Sequence, residues 1–333
     1  MDQAQVNRPA GRLWIVALVA SLVSACTPDP QSELKIGLTV WPPNEIAYLA
    51  RDLGSFDDLN IRLIEDGTPS EYAGAFASGA FDGAVATLGT ALHVCSTLPD
   101  HRIVLLVSYS AGGDALVVHD NIKSAEDLAG KRVGYEPLAL GTFLLSRFLQ
   151  VNQLRVEDVV PVPLDMAEHH TAFTDGRVDA VVSFDPTVSA IVAAGGRILT
   201  DSRSLPGEVM DVLIVHKSVL DQKRELLTSF VDAWFEALAF HSNNPSLAAQ
   251  YSEDRNHFSR SAYLAGFEGV IMLDRAANQS LFSQDDSTLL DTLGLHGQFL
   301  SELGLIESSG NFASILDSSI IAAVPAVQAA PPR

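Results

Sequence analysis

Basic residues are scarce. Against 41 Asp and Glu the chain of 333 residues sets only 21 Lys and Arg, a net charge of −20. So negative a surface repels phosphate backbones and anionic headgroups, and no compensating cluster of bases occurs, which excludes nucleic acid as a partner. Cysteine is rarer still, with two residues, so neither a disulfide framework nor a C-x-x-C redox or zinc pattern is available. The nucleophile elbow, P-loop, G-x-G-x-x-G and H-E-x-x-H patterns are all missing, and nothing calls for a cofactor or a catalytic metal. His169-His170 are adjacent, but side chains at i and i+1 diverge on a helix, so a solvated pair near a helix end is expected rather than a shared metal. Hydrophobic residues at 47% against 19% charged are too many for a disordered chain and enough for a buried core. The length leaves room for two domains.

The N-terminus has its own grammar. Arg8 and Arg12 precede an apolar run over residues 13–23 that ends in small residues, the pattern of an export signal. The run falls short of the roughly 20 residues of a membrane span. Val23-Ser-Ala-Cys26 is similar to a bacterial lipoprotein box, in which Cys26 is lipidated and opens the mature chain. Residues 1–25 are therefore expected to be a signal peptide and 26–33 a stiff, Pro-containing tether to a lipid bilayer. Cys95 is then a lone thiol and reads as a buried small apolar residue.

An internal repeat organises the rest. At a separation of 97 residues, Ala75-Phe-Ala-Ser-Gly79-Ala-Phe-Asp82 aligns with Ala172-Phe-Thr-Asp-Gly176-Arg-Val-Asp179. Asp114-Ala-Leu-Val-Val-His119 aligns with Asp211-Val-Leu-Ile-Val-His216 at the same separation, as does Ile36-Gly37 with Val133-Gly134. Each copy alternates short β-rich runs with helical stretches, so two α/β lobes with mainly parallel sheets are predicted. Gly79 and Gly176 stand where a helix C-terminus favours glycine. From about residue 222 the pattern is helical, with segments predicted at 226–240, 246–251 and 287–303 and no further strand. The last nine residues, rich in Ala and Pro, are expected to fray.

Ligands of parallel α/β sheets bind at loops leaving the carboxyl ends of strands. The repeat pairs those loops: Trp41-Pro-Pro-Asn-Glu45 with Leu138-Ala-Leu-Gly-Thr142, and Thr87-Leu-Gly-Thr90 with Phe184-Asp-Pro-Thr187. Trp41 offers a flat apolar face held by two prolines, or else caps the sheet. Asn44 and Glu45 suit a helix start, and Gly141-Thr142 opens another helix whose free N–H groups could meet an anionic oxygen. Phe184 and Asp185 join an aromatic wall to a carboxylate. Asp114 and Asp211 each open the last strand of a copy, as strand-end caps at a hinge or as ligand contacts. Thr87 and Glu136 complete the candidates. These loops and their flanks carry Glu45, Glu136, Asp185 and Asp114 and no base, a balance suited to a ligand with a cationic or hydrogen-bond-donating group.

With these residues in view, the chain resembles the solute-binding lipoproteins of bacterial ABC importers, in the nitrate/sulfonate/taurine and thiamine-precursor branch known as NMT1-like. The resemblance covers roughly residues 34–305. It rests on Trp41-Pro-Pro-Asn-Glu45 before Ala47-Tyr-Leu-Ala50, on the segment from Ile122 to Val133, and on Phe173-Thr-Asp-Gly-Arg-Val-Asp-Ala-Val-Val-Ser-Phe-Asp-Pro186. It implies a two-lobed type II periplasmic-binding fold: one lobe from 34–113 and 212–308, the other from 114–211, a tail over 309–333, and crossings at 114–118 and 211–215. It also implies hinge closure on a ligand and delivery to an ABC permease in the membrane, on the periplasmic side of the cell envelope. The acid in Phe184-Asp-Pro186 and the apolar Leu138-Ala-Leu140 depart from an inorganic-anion site and point to a small organic solute, whether sulfonate, amine or pyrimidine-like. A ligand sensor signalling to a membrane partner and an enzyme like thiamine-precursor synthases are the alternatives.

Overall fold

Eleven strands form two sheets among the described residues of the computed structural model, which are 1, 33–65, 69–255, 257–283, 287–307 and 312–325. Cys26, the expected tether up to residue 32 and, Met1 aside, the expected export signal lie outside them, as do residues beyond Pro325. The strands are β1 (Leu34–Leu38), β2 (Ile61–Glu65), β3 (Gly83–Thr87), β4 (His101–Ser110), β5 (Asp114–Val118), β6 (Arg132–Tyr135), β7 (Val160–Pro163), β8 (Ala180–Phe184), β9 (Arg197–Asp201), β10 (Met210–His216) and β11 (Val270–Met272). The helices are α1 (Glu45–Asp52), α2 (Pro69–Ala77), α3 (Leu88–Thr97), α4 (Ala139–Val151), α5 (His169–Thr174), α6 (Thr187–Ala193), α7 (Lys217–Gln222) and α8 (Arg224–Asn243). They continue with α9 (Pro245–Asp254), α10 (Arg260–Glu268), α11 (Arg275–Leu281), α12 (Thr288–Glu302) and α13 (Ser319–Ala323).

The sheet orders expose the repeat. One sheet runs β11-β4-β10-β3-β1-β2 and the other β7-β6-β8-β5-β9, so β2-β1-β3-β10-β4 and β7-β6-β8-β5-β9 are the same arrangement. β5 follows β4 of the first sheet yet pairs with β8 and β9 of the second, and β10 follows β9 yet pairs with β3 and β4 of the first. Each crossing strand runs antiparallel to its neighbours, which corrects the expectation of mainly parallel sheets to a mixed pattern. The reason is geometric. A chain arriving from the other lobe enters at the carboxyl ends of the parallel strands β1, β3, β6 and β8 and can only run back down. The fold is thus the two-lobed type II periplasmic-binding arrangement, with two crossings and a mostly helical C-terminal part.

Both faces of each sheet are covered. Ile36, Leu213 and Val215 pack with Phe230 and Trp234 in one core, and Leu88, Val212, Leu289 and Leu293 share a second. Phe143 and Phe148 cover one face of the other sheet, and Phe173 and Ile191 the opposite one. Helix α8 earns its place through Leu227, Phe230, Val231, Trp234, Phe235 and Leu238, buried at helical spacing. Helix α12 touches both lobes. Leu289, Leu293 and Leu300 belong to the first lobe's core, while Leu295 and Phe299 lie against the second's. The short strand β11 and the helices α10 and α11 were not expected; three residues of strand, added to the edge of β4, are too few to leave a periodic signature. Among the described residues no helix is long and apolar enough to cross a membrane.

The repeated aspartates stitch the strands. The carboxylate of Asp82 accepts the backbone N–H of Lys35 at 2.8 Å and Lys223 Nζ–H at 2.8 Å. Asp179 accepts the backbone N–H of Arg132 at 2.9 Å and its guanidinium at 2.9 and 3.0 Å. Each thereby fixes the start of β1 or β6 against β3 or β8. Hydrogen bonding from Arg132 holds the Asp179 carboxyl below the usual carboxylate range. The glycines Gly79 and Gly176 end their helices in the left-handed region, at φ 77° and 67°, as expected of them. We expect Asp82→Ala to cost about 2 kcal/mol, the scale of a lost charge-assisted hydrogen bond, and Asp179→Ala to cost less because its pair is more exposed. Urea unfolding at pH 7 measures both; the Asp179 deficit should shrink as pH falls below the ordinary carboxylate range, where the wild-type carboxylate also loses its charge.

Candidate functional site

Because β5 and β10 start at the cleft end of their sheets, Asp114 lies opposite Phe184 and Asp211 opposite Thr87. Trp41, leaving the carboxyl end of β1, closes over them. Its Nε1–H donates to Asp211 Oδ2 at 2.9 Å, and Ser108 Oγ–H donates to the same oxygen at 2.9 Å. Its ring meets the Phe184 ring edge-to-face at 5.9 Å. One indole therefore contacts the crossing strand of one lobe and a strand end of the other. Asp114 is buried, and its backbone N–H donates to Ser110 Oγ at 3.2 Å. Ser110 Oγ in turn lies 2.7 Å from Ser202 Oγ, which also accepts the Gly112 N–H at 2.7 Å.

Electrostatics set these two acids apart from the solvated ones. Burial pushes the Asp114 carboxyl up to about 7, against the pull of Ser110, with the charges of Asp211 and Asp185 adding to the rise. Asp211 is raised to about 6 by burial, opposed by its bonds from Ser108 and Trp41. Holding charge there costs stability, and that is tolerated where a site needs it. Glu136 is likewise buried and raised to about 7, first by burial and then by Asp165.

The remaining candidates are distributed unevenly. Thr87 caps α3, accepting the Thr90 N–H at 3.4 Å. Helix α4 begins at Ala139, so the Thr142 N–H is not free as expected: it donates to Leu138 O at 3.0 Å. Gly141 sits so close to Glu136 that a Cβ would lie 2.3 Å from its carbonyl oxygen, which fixes the turn between them. Asp185 is half-buried; its Oδ1 accepts Ser189 N–H at 2.9 Å and Ser189 Oγ–H at 2.7 Å, and its own N–H reaches Gly113 O at 3.0 Å.

Three expectations need correcting. Asn44 makes no side-chain cap; it is buried, and its Nδ2–H donates to Thr39 O at 2.9 Å. Glu45 is committed elsewhere, its carboxylate ion-paired with Arg255 and accepting His257 Nδ1–H at 2.8 Å, while Arg255 also pairs with Asp52. His169 and His170 are not a solvated pair. His169 is buried beside Ser183 Oγ at 3.1 Å, because it opens α5 against β8, and only His170 is exposed. Cys95 is the buried thiol expected, pushed up to about 12 by burial.

A cavity of about 300 Å³ adjoins this cluster. One wall comes from Pro42 and from Ala262, Ala265 and Gly266 of α10, the other from Asp185, Pro186 and Ser189 at the start of α6. Sequence left Asp211 open between a strand-end cap and a ligand contact, and it did not single out α10. The 97-residue repeat carried the signal for Asp211, as the partner of Asp114; small residues on a helix gave none for α10. A larger hollow of about 580 Å³ beside Phe235, Asp274 and Arg275 includes none of the cleft residues. Among the described residues no group of three metal-ligating side chains is assembled.

Known proteins resemble this chain. It is 25% identical over 223 residues to the taurine-binding periplasmic protein of Escherichia coli K12, covering 63% of this chain and 67% of that protein. A putative aliphatic sulfonates-binding protein of the same organism is 35% identical over 95 residues, 28% of this chain and 30% of that one. The alkanesulfonate-binding protein SsuA of Xanthomonas axonopodis pv. citri shares the fold with a TM-score of 0.70 at 16% identity, over 85% of this chain and 97% of that one. The family model described as NMT1/THI5 like matches residues 42–248, more than half of the sequence, and the chain belongs to that family.

Proposed function

We propose that this protein is the periplasmic solute-binding component of an ABC importer, which captures a small organic solute in the interlobe cleft by hinge closure and hands it to the permease without chemistry. The observation that carries this reading is the pair of buried acids, Asp114 and Asp211, on the two strands that cross between lobes and beneath Trp41 and Phe184. An ammonium group between them would offset their mutual repulsion and their burial at once. Since one acid lies in each sheet, a cation held by both favours the arrangement in which the lobes approach, and the ligand acts by shifting population toward it. An anionic end would face the first-turn N–H groups of α3 and α4 beside the hydroxyls of Thr87 and Thr142. Such a solute is zwitterionic, as taurine is, which accords with the relatives' names. Trp41, Asn44, Thr87, Asp114, Glu136, Gly141, Thr142, Phe184 and Asp185 form or frame this site, whereas Glu45 acts through its ion pairs. We further propose that Cys26 is lipidated and tethers the protein to a membrane.

Calorimetric titration with taurine should give binding that Trp41→Ala and Asp211→Asn each weaken by about tenfold or more, some 1.4 kcal/mol. Unchanged affinity in both variants would remove the acids from the site. Affinity for the ammonium end should fall as pH drops from 8 to 5, because Asp114 and Asp211 take up protons through about 7 and 6 and lose the charge that attracts it.

The ligand-free protein behaves in the opposite sense. A carboxyl raised above its unfolded value contributes stability below the ordinary carboxylate range and loses it as pH rises toward 7. Asp114→Asn should therefore melt about 3 °C higher than wild type at pH 8 and equally at pH 4. Labelling of the full chain with radioactive palmitate should be present in wild type and absent in Cys26→Ser; label retained by the variant would refute the anchor.

A further inference from the structure

The cavity between α10 and α6 differs in character from the acid cluster beside it. Ala262, Ala265 and Gly266 are spaced i, i+3 and i+4 and so form one face of α10. The wall they make is apolar and set back by small side chains. Opposite them stand Pro186 and Ser189, and the one carboxylate in the lining, Asp185, already has an oxygen engaged by Ser189. Ala262 and Ala265 are exposed to this space, whereas Gly266 has no freedom: a Cβ there would lie 2.4 Å from the ring of Pro42.

The wall is also held still. On the other side of α10, Tyr263 is buried and hydrogen-bonds His241 Nδ1 at 2.8 Å. The segment leading into α10 carries Arg255 and His257, both bound to Glu45 of α1. Glu45 is thus a positioning residue for α10. The cavity is continuous in sequence with the aromatic pair, since Pro42 follows Trp41 and Asp185 follows Phe184. A solute held by its cationic group at Asp114 and Asp211 and by its anionic end at α3 and α4 would loop the methylenes between them past Trp41 and Phe184 into this space. At about 300 Å³ the space lies at the small end of ligand sites.

We propose that this cavity is the subsite for the apolar portion of the solute and that Ala262 and Ala265 set the length of chain it accepts. The proposal rests on the cleft reading above and narrows its substrate class to aminated organic acids with an alkyl or aryl segment. Each methylene transferred from water into such a space gains roughly three- to fourfold in affinity.

The test is calorimetric titration of the full chain with a series of ω-aminoalkanesulfonates from two to six carbons, in wild type, Ala262→Leu and Ala265→Leu. The expected result is affinity that rises roughly threefold per methylene in wild type, and a rise abolished in the leucine variants while the two-carbon member binds them as it binds wild type. That retained binding also shows that the variants are folded. Wild-type affinity that stays flat along the series while the two-carbon member binds would overturn the subsite alone. Leucine variants that weaken every member equally would overturn the role of the two alanines. No binding by any member would overturn the cleft reading and the subsite together.

Discussion

Everything at the cleft follows from where the chain crosses between its lobes. A strand that leaves one sheet and joins the other must enter beside the carboxyl ends of the parallel strands, so its first residue stands at the cleft and its remainder is buried. Asp114 is the first residue of β5 and Asp211 the second of β10, both at that end. Their side chains are withdrawn from solvent by the crossing itself, and their raised carboxyls are a consequence of chain path before they are a consequence of any ligand. Trp41 completes the arrangement by giving its indole N–H to one acid and meeting the Phe184 ring of the other lobe edge-to-face.

Around that crossing, charge is used in two different ways. Asp82 and Asp179 are spent on strand starts, and Glu45 on Arg255 and His257, so these carboxylates have cationic or backbone donors and act as structural anions. Asp114, Asp211 and Glu136 lack a cationic partner among their described contacts and are buried nonetheless. The difference separates acids that build the frame from acids whose cost folding alone does not explain. Helix α12 adds a mechanical element: His296 stacks on Phe143 of α4 at 4.2 Å and hydrogen-bonds Glu208 O at 2.7 Å, which ties the C-terminal helices to the second lobe beside the crossings.

Much of this was legible in the residues and some was not. The repeat located β3 and β8, the glycine helix ends and both crossing strands, because identical local sequence forms identical local structure. It also paired the loops that surround the cleft. Local sequence left Glu45 open between a helix cap and a ligand contact and misjudged His169, since a helix-start acid reads alike whether it caps a dipole or meets an arginine some 210 residues away, and a His pair reads alike whether exposed or packed under a strand. The α10 wall left no trace, because small residues on a helix are common and only a facing surface makes them a cavity.

By itself the sequence determined two copies of an α/β unit, an acidic character without basic patches, and a Trp and paired acids at strand ends. These are local or periodic properties, set by residue type and spacing. The tertiary structure alone decided that β5 and β10 exchange lobes, that Asp114 and Asp211 are both buried at these crossings, and that Glu45 pairs with Arg255 and His257. Those outcomes depend on which distant surfaces exclude water together, and no spacing along the chain encodes which partner a buried charge will meet.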